Sequence, residues 1–215
     1  EKKFSTVELR SSPTAGTFDN ETVKATAPFR IVSLPMAPGD ILLLYTDGFE
    51  EAARARRRRD FSALTETITD PRSGKTHEEF LKEQLGEERI RDITEAIQKR
   101  ASYTLVRQDD PLGPDARFTF DFSSCKGTLQ DLVIGLGAVE KVFRMISDPN
   151  AVDSDTVVVD SLVDKFLSEH FAEYSKYCWD KQPYPDEHVT EYLLYGHMKE
   201  DEQYDDLTML AIRRK

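Results

Sequence analysis

Carboxylates stand at two places in this chain where they could do chemistry. Asp47 follows the apolar run Ile41-Leu42-Leu43-Leu44-Tyr45 and Thr46, and Asp205-Asp206 come directly before Leu207-Thr208-Met209-Leu210-Ala211-Ile212. Ile41 to Tyr45 is too short for a helix and reads as a strand covered on both faces. Leu207 to Ile212 reads as a second strand. Carboxylates brought to the ends of strands are hard oxygen ligands, suited to magnesium or manganese. Each placement also has a plainer reading. Asp is a favoured helix N-cap, and good helix formers follow from Phe49 to Arg54. The acids between Glu200 and Asp206 suit a solvated turn, which composition alone favours. Gly48 would let the backbone turn away after Asp47.

Local patterning gives the elements that must hold these residues. Pro38-Gly39 is the central pair of a type II turn, with Asp40 as a turn residue. Phe29 to Leu34 alternates apolar and polar residues and is predicted to be the other arm of a hairpin with Ile41–Tyr45. From Thr76 the pattern becomes helical, with Phe80, Leu81, Leu85, Ile90, Ile93 and Ile97 at helix-like spacings around Gly86. Gln108 to Asp115, with two prolines and a glycine, reads as a linker. Phe118-Thr119-Phe120-Asp121-Phe122 alternates strictly, as an exposed or edge strand does. Thr128 to Ile146 is a helix opened by a capping box of Thr128 and Asp131. A second long amphipathic helix is expected over 156–178, with Phe166, Phe171 and Tyr174 on its apolar face. The two helices are expected to pack as an antiparallel hairpin beside the sheet and to be separable from it.

Composition narrows the classes of function. The chain has 215 residues, 39% hydrophobic and 32% charged, as a soluble globular protein does. A net charge of −11 argues against a general nucleic-acid binder. No apolar run approaches the roughly 20 residues of a membrane-spanning helix. Cys125 and Cys178 are too few for a disulfide framework, which points to a reducing cytoplasm. Arg56-Arg57-Arg58-Arg59 is either a solvated loop or a docking patch for an acidic or phosphorylated partner. His170 lies on an apolar stripe and reads as a packed histidine; Cys178 reads as buried. The chain opens at Glu1 in strand-like sequence, which suggests part of something longer.

Leu34-Pro35-Met36-Ala37-Pro38-Gly39-Asp40-Ile41-Leu42-Leu43-Leu44-Tyr45-Thr46-Asp47-Gly48-Phe49-Glu50-Glu51-Ala52 resembles the signature of the SpoIIE/RsbU-like branch of metal-dependent, PP2C-type serine/threonine phosphatases. Asp205-Asp206-Leu207-Thr208-Met209-Leu210 resembles that family's closing motif, and Gly86-Glu87-Glu88-Arg89-Ile90 its glycine-led helix. The resemblance implies an α/β (α+β) class, an α-β-β-α sandwich of which this chain holds the C-terminal portion. It implies a binuclear Mn2+ or Mg2+ centre whose water attacks phosphoserine. Asp47 and Asp205 are then metal ligands, with Asp206 beside them. The family's upstream Asp-Gly, which bridges the two metals, has no counterpart here.

On this view residues 1–54, 86–107 and 191–215 form the phosphatase part. Residues 55–85 are a loop or helix insertion, and 108–190 a mainly helical one. The implied substrate is a phosphorylated regulatory protein of the anti-sigma-factor antagonist type, met in the cytoplasm by a parent anchored through upstream segments. The alternative is a pseudophosphatase or interaction module that binds a partner or forms a homodimer through its helical insert.

Overall fold

The computed structural model describes residues 3–7, 19–26, 32–109, 115–148, 152–159, 162–177, 181–183, 192–198, 200–201 and 205–215. Helix α1 (Asn20–Thr26) precedes strand β1 (Ile41–Tyr45) and the one-turn α2 (Asp47–Glu50). Four short strands follow: β2 (Ala53–Ala55), β3 (Thr65–Thr69), β4 (Thr76–Phe80) and β5 (Lys82–Gln84). Next come α3 (Gly86–Lys99), β6 (Ser102–Arg107), β7 (Ala116–Asp121) and α4 (Leu129–Arg144). The rest is β8 (Val152–Val159), α5 (Leu162–His170), α6 (Tyr174–Tyr177), β9 (Lys181–Pro183), β10 (Tyr192–Met198) and β11 (Met209–Arg213). The class is α+β, consistent with a PP2C-like fold. The strands pair as β1-β11, β2-β5, β3-β4 and β6-β7, with a three-stranded β8-β10-β9 sheet. Every pairing is antiparallel.

The turn before β1 forms as its residues dictate. Gly39 has φ +92°, the Asp40 N–H donates to the Ala37 carbonyl at 3.0 Å, and Asp40 Oδ2 accepts from the Ala37 N–H at 2.6 Å. The hairpin expected with residues 29–34 is not what this turn builds. Residues 32–37 carry no strand, 29–31 lie outside the described residues, and β1 pairs instead with β11 at the far end of the chain. The run is not covered on both faces either. Ile41, Leu43, Tyr45, Met209 and Ala211 pack against the core, while Leu44, Leu210 and Ile212 remain about half exposed. A strand of leucines reads as doubly buried from composition, but its cover depends on what packs on each face.

The helix expected from Thr76 begins at Gly86, because 76–84 is taken up by β4 and β5. Residues 55–85 therefore hold strands and turns and no helix. Gln108–Asp115 joins two directly paired strands, with Arg107 opposite Ala116, and only 110–114 lie outside the described residues. The strand expected around Phe118 is present but not exposed: Phe118, Phe120 and Phe122 are all buried. The expected helix over 156–178 is shorter. Val152–Val159 is a strand, and the helical part is α5 and α6.

Helix α4 is the most fully specified element. Thr128 Oγ1 accepts from the Asp131 N–H at 3.0 Å, and Asp131 Oδ2 accepts from the Thr128 N–H at 3.0 Å, which completes the capping box. Its other end is capped from outside. The fully buried Arg107 donates from Nη1 to the carbonyls of Val142, Phe143 and Met145, at 3.0, 3.1 and 2.6 Å. Burial and the nearby Arg54 lower the Arg107 pKa to about 9, so it still carries its charge at neutral pH. Gly135 of α4 has side chains of both α3 and α5 against it: a Cβ there would meet Ile97 Cδ1 at 2.6 Å and Phe166 Cζ at 3.0 Å. The buried residues of α3, β6, β7, α4 and α5 form one cluster that also includes Phe49 and Ala52.

Candidate functional site

The antiparallel register of β1 and β11 runs from Ile41 opposite Arg213 to Tyr45 opposite Met209. The residues after Tyr45 and those before Met209 therefore leave the sheet at the same end. Thr46 extends the ladder one step, its N–H donating to the Thr208 carbonyl at 3.0 Å. Its hydroxyl donates to the Asp206 carbonyl at 2.7 Å and accepts from the Thr208 N–H at 3.1 Å. Asp47, Asp205 and Asp206 follow from this placement and are exposed.

Asp47 is the first residue of α2, and the N-cap position falls on Thr46, which makes no side-chain capping bond. Asp47 Oδ1 accepts from the Gly48 N–H at 3.0 Å, and Asp205 Oδ1 accepts from the Asp206 N–H at 2.8 Å. Gly48 does not serve the expected turn, for its φ is not positive. Its role is close approach. A Cβ on residue 48 would stand 2.8 Å from the Asp206 carbonyl oxygen and 3.1 and 3.3 Å from Cβ and Cγ of Asp205. Sequence reasoning missed Thr46 and Thr208; hydroxyl residues flanking both acidic motifs were the available signal. Nearby, burial and the charges of Glu50 and Glu87 raise the Tyr45 hydroxyl pKa.

The described acids before β11 divide into two groups. Glu200 pairs with Arg144 at 2.9 Å, and Asp201 accepts from the Ala55 N–H at 3.0 Å and pairs with Arg57. These two residues tie the closing segment to α4 and β2. Asp205 and Asp206 stand past them at the mouth of β11.

The first half of the basic run is engaged with neighbouring segments. Arg56 donates to the carbonyls of Gln108 and Asp109, each at 3.0 Å, and Arg57 pairs with Asp201. Arg54, just before the run, pairs with Glu83 at 2.9 Å and with Asp109. Arg58 and Arg59 are exposed.

His170 is buried, with Nδ1 2.8 Å from the Asp121 carbonyl, as a packed histidine. Beside it Cys125 is a buried thiol whose pKa burial raises to about 11. Cys178 lies outside the described residues.

The donor chemistry at the end of β1-β11 suits a hard divalent cation. The Asp47-Gly48 and Asp205-Asp206 segments come together at Gly48, whose missing Cβ leaves space against Asp205. Among the described residues no three His, Cys, Asp or Glu side chains converge. Asp47 and Asp205 are hard oxygen donors on neighbouring segments. They do not make up a two-metal centre by themselves.

Residues 3–102 match the family model described as Stage II sporulation protein E (SpoIIE). This is the family branch that the stretch from Leu34 to Ala52 resembles. The matched span contains Asp47 and α3, while Asp205 and Asp206 fall beyond it. No curated protein and no solved structure matches the chain.

Proposed function

We propose that the Asp47–Asp205 end of the β1-β11 sheet is part of the metal centre of a PP2C-like protein phosphatase acting on phosphoserine. Its substrate on this reading is a cytoplasmic regulatory protein of the anti-sigma-factor antagonist type. The observation that carries the reading is the convergence of Asp47-Gly48 with Asp205-Asp206, with Asp47 inside the SpoIIE-like span. Magnesium or manganese, when bound, lowers the pKa of water and neutralises charge on phosphoryl oxygens. The chain's own residues hold and orient. Asp47 and Asp205 supply carboxylate oxygens, Gly48 gives Asp205 room, and the buried Phe49 fixes α2 on the core.

Two carboxylates are fewer than a two-ion centre needs, so residues 1–215 alone should release phosphate from a phosphoserine peptide slowly, even with manganese. Whatever manganese-dependent turnover is measured should fall about a hundredfold in Asp47→Asn and in Asp205→Asn, because each removes a ligand worth several kcal/mol of charge stabilisation. Asp40→Asn, a change in the turn, should leave turnover nearly unaltered. Near-native turnover by Asp205→Asn would end its assignment as a ligand and pass the role to Asp206.

A further inference from the structure

We propose that Thr46 is the positioning residue of this site: its hydroxyl sets where the Asp205 carboxylate stands relative to Asp47. The inference rests on the metal-centre reading above and concerns a residue that never touches the cation. The β1-β11 ladder ends with the backbone bond from Thr46 to Thr208, and beyond it the segment leading back to Asp205 is held to β1 by the Thr46 side chain. One oxygen makes two bonds of opposite sense, donating to the Asp206 carbonyl at 2.7 Å and accepting from the Thr208 N–H at 3.1 Å. The Thr46 N–H adds a third bond, to the Thr208 carbonyl at 3.0 Å.

These bonds grip the chain on both sides of Leu207. They fix the Asp206 carbonyl, and the Asp206 N–H is bonded in turn to Asp205 Oδ1 at 2.8 Å. Threonine suits this work where valine cannot, since valine has the same shape but neither donates nor accepts. Residues that orient a metal ligand from behind typically change metal affinity by ten- to a hundredfold when removed.

The test uses the whole chain and manganese alone. Free Mn2+ is followed by its electron paramagnetic resonance signal during titration of the native chain, Thr46→Val, Thr46→Ser and Asp205→Asn. Hydrogen exchange at the Thr208 amide is measured without metal. Thr46→Val is expected to weaken manganese binding about tenfold or more. Thr46→Ser, which keeps the hydroxyl, should stay within about threefold of native. The Thr208 amide should be protected in the native and serine chains and exposed in the valine chain. If Asp205→Asn loses affinity while Thr46→Val keeps it, the positioning role is wrong and the metal reading stands. If the native chain binds no manganese, or Asp205→Asn binds it as the native chain does, the metal reading fails and this inference with it. Should Thr46→Val not fold, the native exchange rate still decides: a Thr208 amide as fast as in free peptide shows that no such grip exists.

Discussion

A Cβ on residue 48 would stand 2.8 Å from the carbonyl oxygen of Asp206, a backbone atom that cannot swing aside as a side chain would. Gly48→Ala should therefore push the Asp205–Asp206 segment off β1, at a cost of about 1–3 kcal/mol, the usual range for overpacking. At Gly39 the obstacle is different, because open space surrounds it but φ is +92°. Gly39→Ala should destabilise through backbone strain alone and leave the Thr208 amide as it was. Urea unfolding with amide exchange separates the two cases, and an unchanged midpoint for Gly48→Ala would refute the close-approach account. At this scale the sequence was readable where a residue's type limits its uses. Asp47 stood out as a carboxylate ending an apolar run, whereas Asp205 was singled out only by the resemblance of its segment to the family's closing motif. Five acids in the seven positions from Glu200 to Asp206 look alike in sequence. The division of the four described ones into anchors that meet Arg144 and Arg57 and a pair at the strand mouth depends on partners far away in the chain.

Among the elements, α4 could be read almost to the residue because its signals are local. The capping pair is three positions apart, and the apolar stripe lies on one helix face. Thr128→Ala should cost about 1 kcal/mol, as the loss of an N-cap usually does, measured as a shift in urea midpoint. Phe143→Ala, a fully buried ring on the same helix, should cost about 3–5 kcal/mol. Strand partners were the hidden part. Phe29 to Leu34 lay next to β1 in sequence and had the right alternation, yet β1 found its partner at 209–213. Val159 merged with Leu162, Val163 and Phe166 into a helical spacing, although Val152–Val159 is a strand and the helix runs from Leu162. The same near-sightedness cast Phe118–Phe122 as an edge. Strict alternation shows that one face is apolar, but what covers that face is decided by α5, whose Phe166 packs on Phe122, and by Phe171 just after it, stacked on Phe120.

Across the whole molecule, the helices expected to be separable stand inside the core. Phe166 and Leu167 of α5 and Leu136 and Phe143 of α4 share one buried cluster with Ile93 and Ile97 of α3 and with Phe49 beside the site. Excising 110–186 should therefore unfold the chain, and a cooperative melt of the shortened protein would contradict that. The β1-β11 pairing has a consequence in time as well as in space. Thr46 and Asp206 are 160 positions apart. Closing such a loop in a bare chain costs on the order of 4–5 kcal/mol in entropy before any contact offsets it. Docking α3 and α4 first shortens the effective loop, so β11 should join late. Pulse-labelled refolding should show α3 and α4 amides protected before those of Thr46 and Thr208; simultaneous protection would argue against this order. The Asp47 and Asp205 segments then come together only after the core has formed. A nascent chain carries Asp47 early, but it gains the acidic pair only once β11 has been made and has docked, so competence at this site would report that the core is already in place.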